Sequence, residues 1–206
     1  RNPAHFNGIL SLKPTEWRVP GHGHVPDLPG APRTIRYMGV YGPLARSVED
    51  LELALRVIAG PDGHEAEAAP VPIGPAPAAR PQDLRIAVIA TNPLVDTSAD
   101  TQAVVQQTVR RLSKAGVRVK RAMPEGFDWR QAWDDWSDLF QYQVRALQPL
   151  AERERYFTPR ESRDPSYLST VRTARLDLGQ FFQVLDRRDD ALRRCEALLD
   201  THDAIL

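Results

Sequence analysis

Disulfide chemistry has almost nothing to work with in this chain: Cys195 is the single cysteine among 206 residues. A disulfide-built secreted scaffold is therefore excluded, and a reducing, cytoplasmic setting is the expectation. An excess of charge is equally lacking. Lys and Arg total 27, Asp and Glu total 27, and the formal net charge is zero. Steering toward phosphates or an anionic bilayer needs a positive field, so direct nucleic-acid binding and membrane docking are not expected. No run approaches the roughly 18 consecutive apolar residues of a transmembrane helix. Also missing are Gly-x-Gly-x-x-Gly, a Walker sequence, a Gly-x-Ser-x-Gly elbow and zinc-finger spacing. The sequence therefore carries no sign of a cofactor.

What is present divides into three stretches. Residues 1–46 are rich in Gly and Pro and poor in helical periodicity. Ile9 to Leu12 predicts a short strand stopped by Pro14, and Tyr37 to Tyr41 a second. Between them, Val19 to Pro32 carries too many Pro and Gly residues for regular structure. Ser47, with Asp50 three residues later, predicts a helix start; Leu51, Leu55 and Ile58 share one face, and Gly60-Pro61 ends it. Residues 61–81 hold six prolines and six alanines and read as a surface excursion or linker.

Leu84 to Ala90 then predicts a buried strand, Ala99 to Ala115 a helix with Val105, Val109 and Leu112 inward, and Val117 to Val119 another strand. Strand, helix and strand at this spacing predict a parallel βαβ unit. Beyond it the chain reads as helical. Trp129, Trp133, Trp136, Phe140, Val144, Leu147 and Leu150 make an apolar stripe expected to face the core. Asp134, Asp135 and Asp138 are expected on a solvated face, as are Arg110, Arg111, Arg187, Arg188, Arg193 and Arg194. A long helix is predicted from Tyr167 to Leu199, broken near Gly179, with Leu178, Phe182, Leu185, Leu192 and Leu199 inside, and Asp203 to Leu206 reads as a strand just beginning. With no initial Met and that abrupt end, the chain reads as cut at both termini. The fold class expected is α/β, a mixed sheet flanked by helices, incomplete, with residues 1–206 forming a single partial domain.

The candidate chemistry is sparse. His22-Gly23-His24 places two imidazoles near each other, but spacing supplies no third ligand, and they read as loop residues with no metal site. Cys195 sits beside Arg193 and Arg194 without a His base, which reads as an inert thiol.

Two segments go further by resemblance. Phe6 to Thr15, containing Gly8-Ile9-Leu10-Ser11-Leu12-Lys13-Pro14-Thr15, resembles the Gly-x-x-Gly-Leu-Lys-Pro-Thr segment of the amidase signature family. Gly42-Pro43-Leu44-Ala45-Arg46-Ser47-Val48-Glu49-Asp50, with Ile58-Ala59-Gly60-Pro61-Asp62 after it, resembles that family's Gly-Pro-Leu-Ala-Arg-Ser-Val-Glu-Asp run and the Ile-Ala-Gly-x-Asp that follows. The resemblance implies an amide hydrolase working through an acyl-serine intermediate, without metal or organic cofactor. It also implies that the family's Ser, bridging Ser and Lys lie upstream of Arg1, in an N-terminal half of the same enzyme. Arg1 would align with the Arg of the Gly-Gly-Ser-Ile-Arg run and brace the nucleophile loop. No catalytic residue is then assigned within this chain, which alone is expected to be inactive. The loop from His22 to Pro32 would border the acyl pocket, and Trp133, Trp136 and Phe140 would form part of the substrate-pocket wall, leaning toward an apolar or aryl amide or a linear or cyclic oligoamide. The partners implied are the missing half, a small-molecule amide and, through cut sheet edges, a homodimer. Two rival readings remain: the amidase subunit of a glutaminyl-tRNA amidotransferase, and a non-catalytic remnant serving binding or assembly.

Overall fold

The computed structural model describes residues 2–24, 37–75, 79–89, 92–158 and 160–206. The chain divides into two units, Arg1–Ala76 and Pro77–Leu206, with the boundary inside the Pro/Ala-rich stretch.

The first unit opens with a short helix, α1 (Asn2–Asn7), where the sequence showed no helical period. Local chemistry accounts for it. Pro3 lies in the first turn, where it forfeits no helical hydrogen bond, the Asn7 side chain donates to Pro3 O at 2.8 Å, and Gly8 leaves the helix at φ 62°. Strand β1 (Leu10–Ser11) falls inside the predicted segment. Its partner is not Tyr37 to Tyr41 but β2 (Leu44–Ala45), paired antiparallel. The approach is set by Gly42, where an added Cβ would lie 2.0 Å from Leu12 O. Helix α2 (Val48–Ile58) begins where Ser47 Oγ accepts from Asp50 N at 3.1 Å. Of its predicted inner face Leu51 is buried, Leu55 half-buried and Ile58 exposed. The excursion is pinned back as far as residue 75: Arg56 donates to Ile73 O at 2.8 Å, and Gly21 N to the buried Glu65 carboxylate at 2.7 Å.

The second unit contains the predicted βαβ. Strands β3 (Arg85–Val88) and β4 (Arg118–Arg121) pair in parallel, in register Arg85 with Arg118, across helix α3 (Ala99–Lys114). Ser98 caps α3 and Gly116 leaves it at φ 93°. Val105, Val109 and Leu112 are half-buried. The chain end returns as β5 (Ala204–Ile205), parallel on the other side of β3. The order is therefore β4-β3-β5, and the central strand buries Ala87 and Val88. Arg85 and Asp203 lock the β5 side: Asp203 accepts from Arg85 N at 2.7 Å and from its guanidinium at 2.9 Å.

Between β4 and β5 run α4 (Trp129–Ala146), the single turn α5 (Leu150–Glu154), α6 (Pro165–Thr173) and α7 (Leu178–Leu199). The break in the predicted long helix comes earlier than Gly179. Leu176 takes φ 53°, and Asp177 starts α7 by accepting from Gln180 N at 2.8 Å. Pro165 occupies the first turn of α6, whereas Pro159 lies outside the described residues. Helix α4 packs on α6 and α7. Among the described residues no helix is long and apolar enough to cross a membrane.

Candidate substrate-facing site

Helix α4 is turned the opposite way to its sequence expectation. Leu139, Tyr142, Asp135, Asp138 and Arg145 are buried, while Trp133, Trp136 and Phe140 are exposed at 42, 46 and 45%. Successive residues on an α-helix are 100° apart, so Trp136 and Asp138 stand on opposite sides of the axis. The aspartates are thus not a solvated face, and the aromatic stripe is not this unit's core. Apolar periodicity reports that a face is apolar without saying what covers it.

The buried side of α4 is held by charge. The Arg172 guanidinium, from α6, grips Asp138 through two nitrogens at 2.9 and 2.6 Å, and Ser169 Oγ donates to the same carboxylate at 2.6 Å. From α7, Arg187 reaches Asp135 at 2.9 and 2.8 Å, and Gln131 donates to it at 3.0 Å. Arg187 therefore does not stand on a free solvated face. The Asp138 carboxylate raises the pKa of Arg172, and Asp135 does the same for Arg187. Arg145 completes the buried row, donating to Thr170 at 3.2 Å and lying 4.9 Å over the Tyr156 ring. Tyr142 donates to Gln180 at 3.3 Å, and burial pushes its phenol pKa up. The sequence signal for this side was available: Asp135, Asp138, Tyr142 and Arg145 recur at helical steps and form a polar stripe of their own.

The exposed side is an aromatic platform. Trp133 and Trp136 have ring centroids 5.3 Å apart at 41°, and Phe140 continues the row 6.2 Å from Trp136 at 14°. Such a row offers π-faces and apolar area to a flat, apolar group.

Nucleophiles are otherwise engaged. Ser47 caps α2, Ser11 lies in β1, Ser113 lies in α3 and Ser169 is bonded to Asp138. Lys13 Nζ donates to Pro14 O at 3.0 Å. Burial raises the Cys195 pKa, away from the thiolate that nucleophilic chemistry needs. His22 stacks on His64 at 4.0 Å rather than joining His24, and among the described residues no three potential ligands gather around a metal position. A groove of about 680 Å³ lies between the Met123–Gly126 turn and the end of α7, but Arg194 already donates to Glu125 O and Arg193 pairs with Asp190. Arg1 and residues 25–36, most of the loop expected to border the acyl pocket, lie outside the described residues.

The family model for amidases matches residues 1–150. Indoleacetamide hydrolase of Bradyrhizobium diazoefficiens is 25% identical over 100% of this chain and 38% of its own length. A glutamyl-tRNA(Gln) amidotransferase subunit of Roseiflexus castenholzii is 34% identical over 58% of this chain and 24% of its own length. Among solved structures, fatty acid amide hydrolase superposes with a TM-score of 0.72 at 18% identity, covering 100% of this chain and 36% of that one. A bacterial aryl acylamidase of the amidase signature enzymes follows at 0.67 and 17%, covering 98% and 42%. The chain thus spans about two fifths of the length of these full-coverage matches.

Proposed function

This chain belongs to the amidase signature family, and we propose that it is the substrate-wall portion of an enzyme that hydrolyses a carboxylic amide to an acid and ammonia or an amine. The match through residues 1–150 carries the reading, because it takes in both the β1–β2–α2 scaffold and the whole of the aromatic helix α4. Amide hydrolysis needs an activated oxygen nucleophile, a base for its proton and donors aimed at the tetrahedral oxyanion. In this reading the full-length enzyme supplies those groups from outside residues 1–206, with Arg1 bracing the nucleophile loop. The chain supplies the wall, formed by Trp133, Trp136 and Phe140. No metal or organic cofactor takes part, and the setting is cytoplasmic.

An apolar or aryl acyl group is the substrate side chain that fits the wall. The names of two relatives, an indoleacetamide hydrolase and an aryl acylamidase, support this choice. A second reading, the amidase component of an aminoacyl-tRNA amidotransferase, is favoured by the 34% identity to the Roseiflexus castenholzii protein. That enzyme would release ammonia from glutamine within a complex.

Ammonia release by the full-length enzyme from phenylacetamide, acetamide and glutamine separates the two. Turnover of phenylacetamide ahead of the others is expected. Trp133→Ala and Trp136→Ala should each raise KM for phenylacetamide by about tenfold, the loss of roughly 1.4 kcal/mol of aromatic contact. An unchanged substrate profile in both variants would remove the wall from the account. Glutamine as sole substrate would establish the second reading, and no turnover of any amide would leave a non-catalytic remnant.

A further inference from the structure

We infer that Arg172 and Arg187 are positioning residues for selectivity: by clamping Asp138 and Asp135 they fix the rotation of α4 and so aim the Trp133, Trp136 and Phe140 face. This rests on the amidase reading above. The geometry carries it. Each clamp is a guanidinium on a carboxylate, one from α6 and one from α7, and the two carboxylates are three residues apart along α4. Hydrogen bonds of this kind are directional, whereas the hydrophobic driving force is not. Two clamps from different helices, spaced nearly one turn apart, fix both the rotation and the axial position of α4. Because Trp136 stands opposite Asp138, any turn of the helix that releases the carboxylate swings the indole through the same angle.

The buried face of α4 carries Asp135, Asp138 and Arg145 beside Leu139 and Tyr142, although three large aromatic rings were available on the same helix to bury. The Asp138 and Asp135 side chains are only 11 and 5% exposed while their arginines stay 42 and 40% exposed at the helix border, so each carboxylate depends on its partner and the partner fixes its direction. Ser169, fully buried and donating to Asp138, adds a third fixed direction at the same carboxylate.

The test uses the full-length enzyme with Arg172→Met, Arg187→Met and Arg172→Lys, assayed on phenylacetamide and acetamide. Each Met variant should lower kcat/KM for phenylacetamide by about tenfold, through KM, because small misplacements in a binding wall are costly. Acetamide, too small to reach the wall, should change by no more than about twofold. Arg172→Lys keeps the charge but loses the fork, and should fall between wild type and Arg172→Met in selectivity. It also serves if a Met variant fails to fold. An equal loss on both amides would mean a purely structural role and overturn the inference. So would unchanged selectivity in folded variants of an active enzyme. A wild-type enzyme that hydrolyses neither amide would instead overturn the apolar-amide reading, and the inference would fall with it.

Discussion

Leu139 sits where the two sides of α4 meet. It is 1% exposed and stands one residue from the clamped Asp138, so its packing and the clamp act at one place. Leu139→Ala should cost about 2–5 kcal/mol, the usual range for deleting a fully buried leucine side chain. Denaturant unfolding of the full-length enzyme measures this, and a loss under about 1 kcal/mol would mean that the site collapses without penalty. The nearby charges explain why the residue scale was the hardest to read from sequence. Asp135 and Asp138 look like solvated acids until Arg172 and Arg187, 34 and 52 residues away from them in sequence, are brought alongside. Nothing local to α4 announces those partners.

At the scale of elements, local chemistry was a better guide. Ser47 marks a helix start in the sequence and does so in the structure, and Ser98 and Gly116 bound α3 by the same local chemistry. The parallel βαβ followed from spacing alone. What failed was one strand and one facing: Tyr37 to Tyr41 forms no strand, and Gly42, by letting the backbone approach Leu12, leads β1 to pair with Leu44 and Ala45. Strand β5 gives a further prediction. The Arg85 guanidinium and backbone N–H lower the Asp203 pKa to about 2. A depressed carboxylate stabilises the fold above its ordinary value near 3.8 and loses that contribution as pH falls toward 2. Carboxyl NMR should therefore place the Asp203 midpoint near 2, rising part of the way toward its ordinary value in Arg85→Met, which removes the guanidinium but keeps the backbone N–H. A wild-type midpoint at the ordinary value would mean that the Arg85 contact is not held in solution.

At the scale of the whole molecule, the chain exposes a broad apolar surface. Trp133, Trp136, Phe140, Leu178, Phe182, Leu192 and Leu199 all stand out to solvent, and β4 and β5 are edges of the second unit's sheet. Such edges and faces invite pairing. The isolated chain is expected to self-associate, as a homodimer or larger, unless the rest of the enzyme is bound; light scattering reads this directly, and a monodisperse 23.1 kDa monomer would contradict it. In the function proposed above, this chain lends a wall to an acyl-serine hydrolase whose nucleophile comes from elsewhere in the full-length protein. The most direct test of that function is peptide mapping of that enzyme after labelling with a serine-reactive fluorophosphonate, with the isolated chain labelled in parallel. The account predicts one adduct, on a serine outside residues 1–206, and no labelling of the isolated chain. An adduct on Ser11, Ser47, Ser113, Ser169 or any other serine of this chain would contradict it.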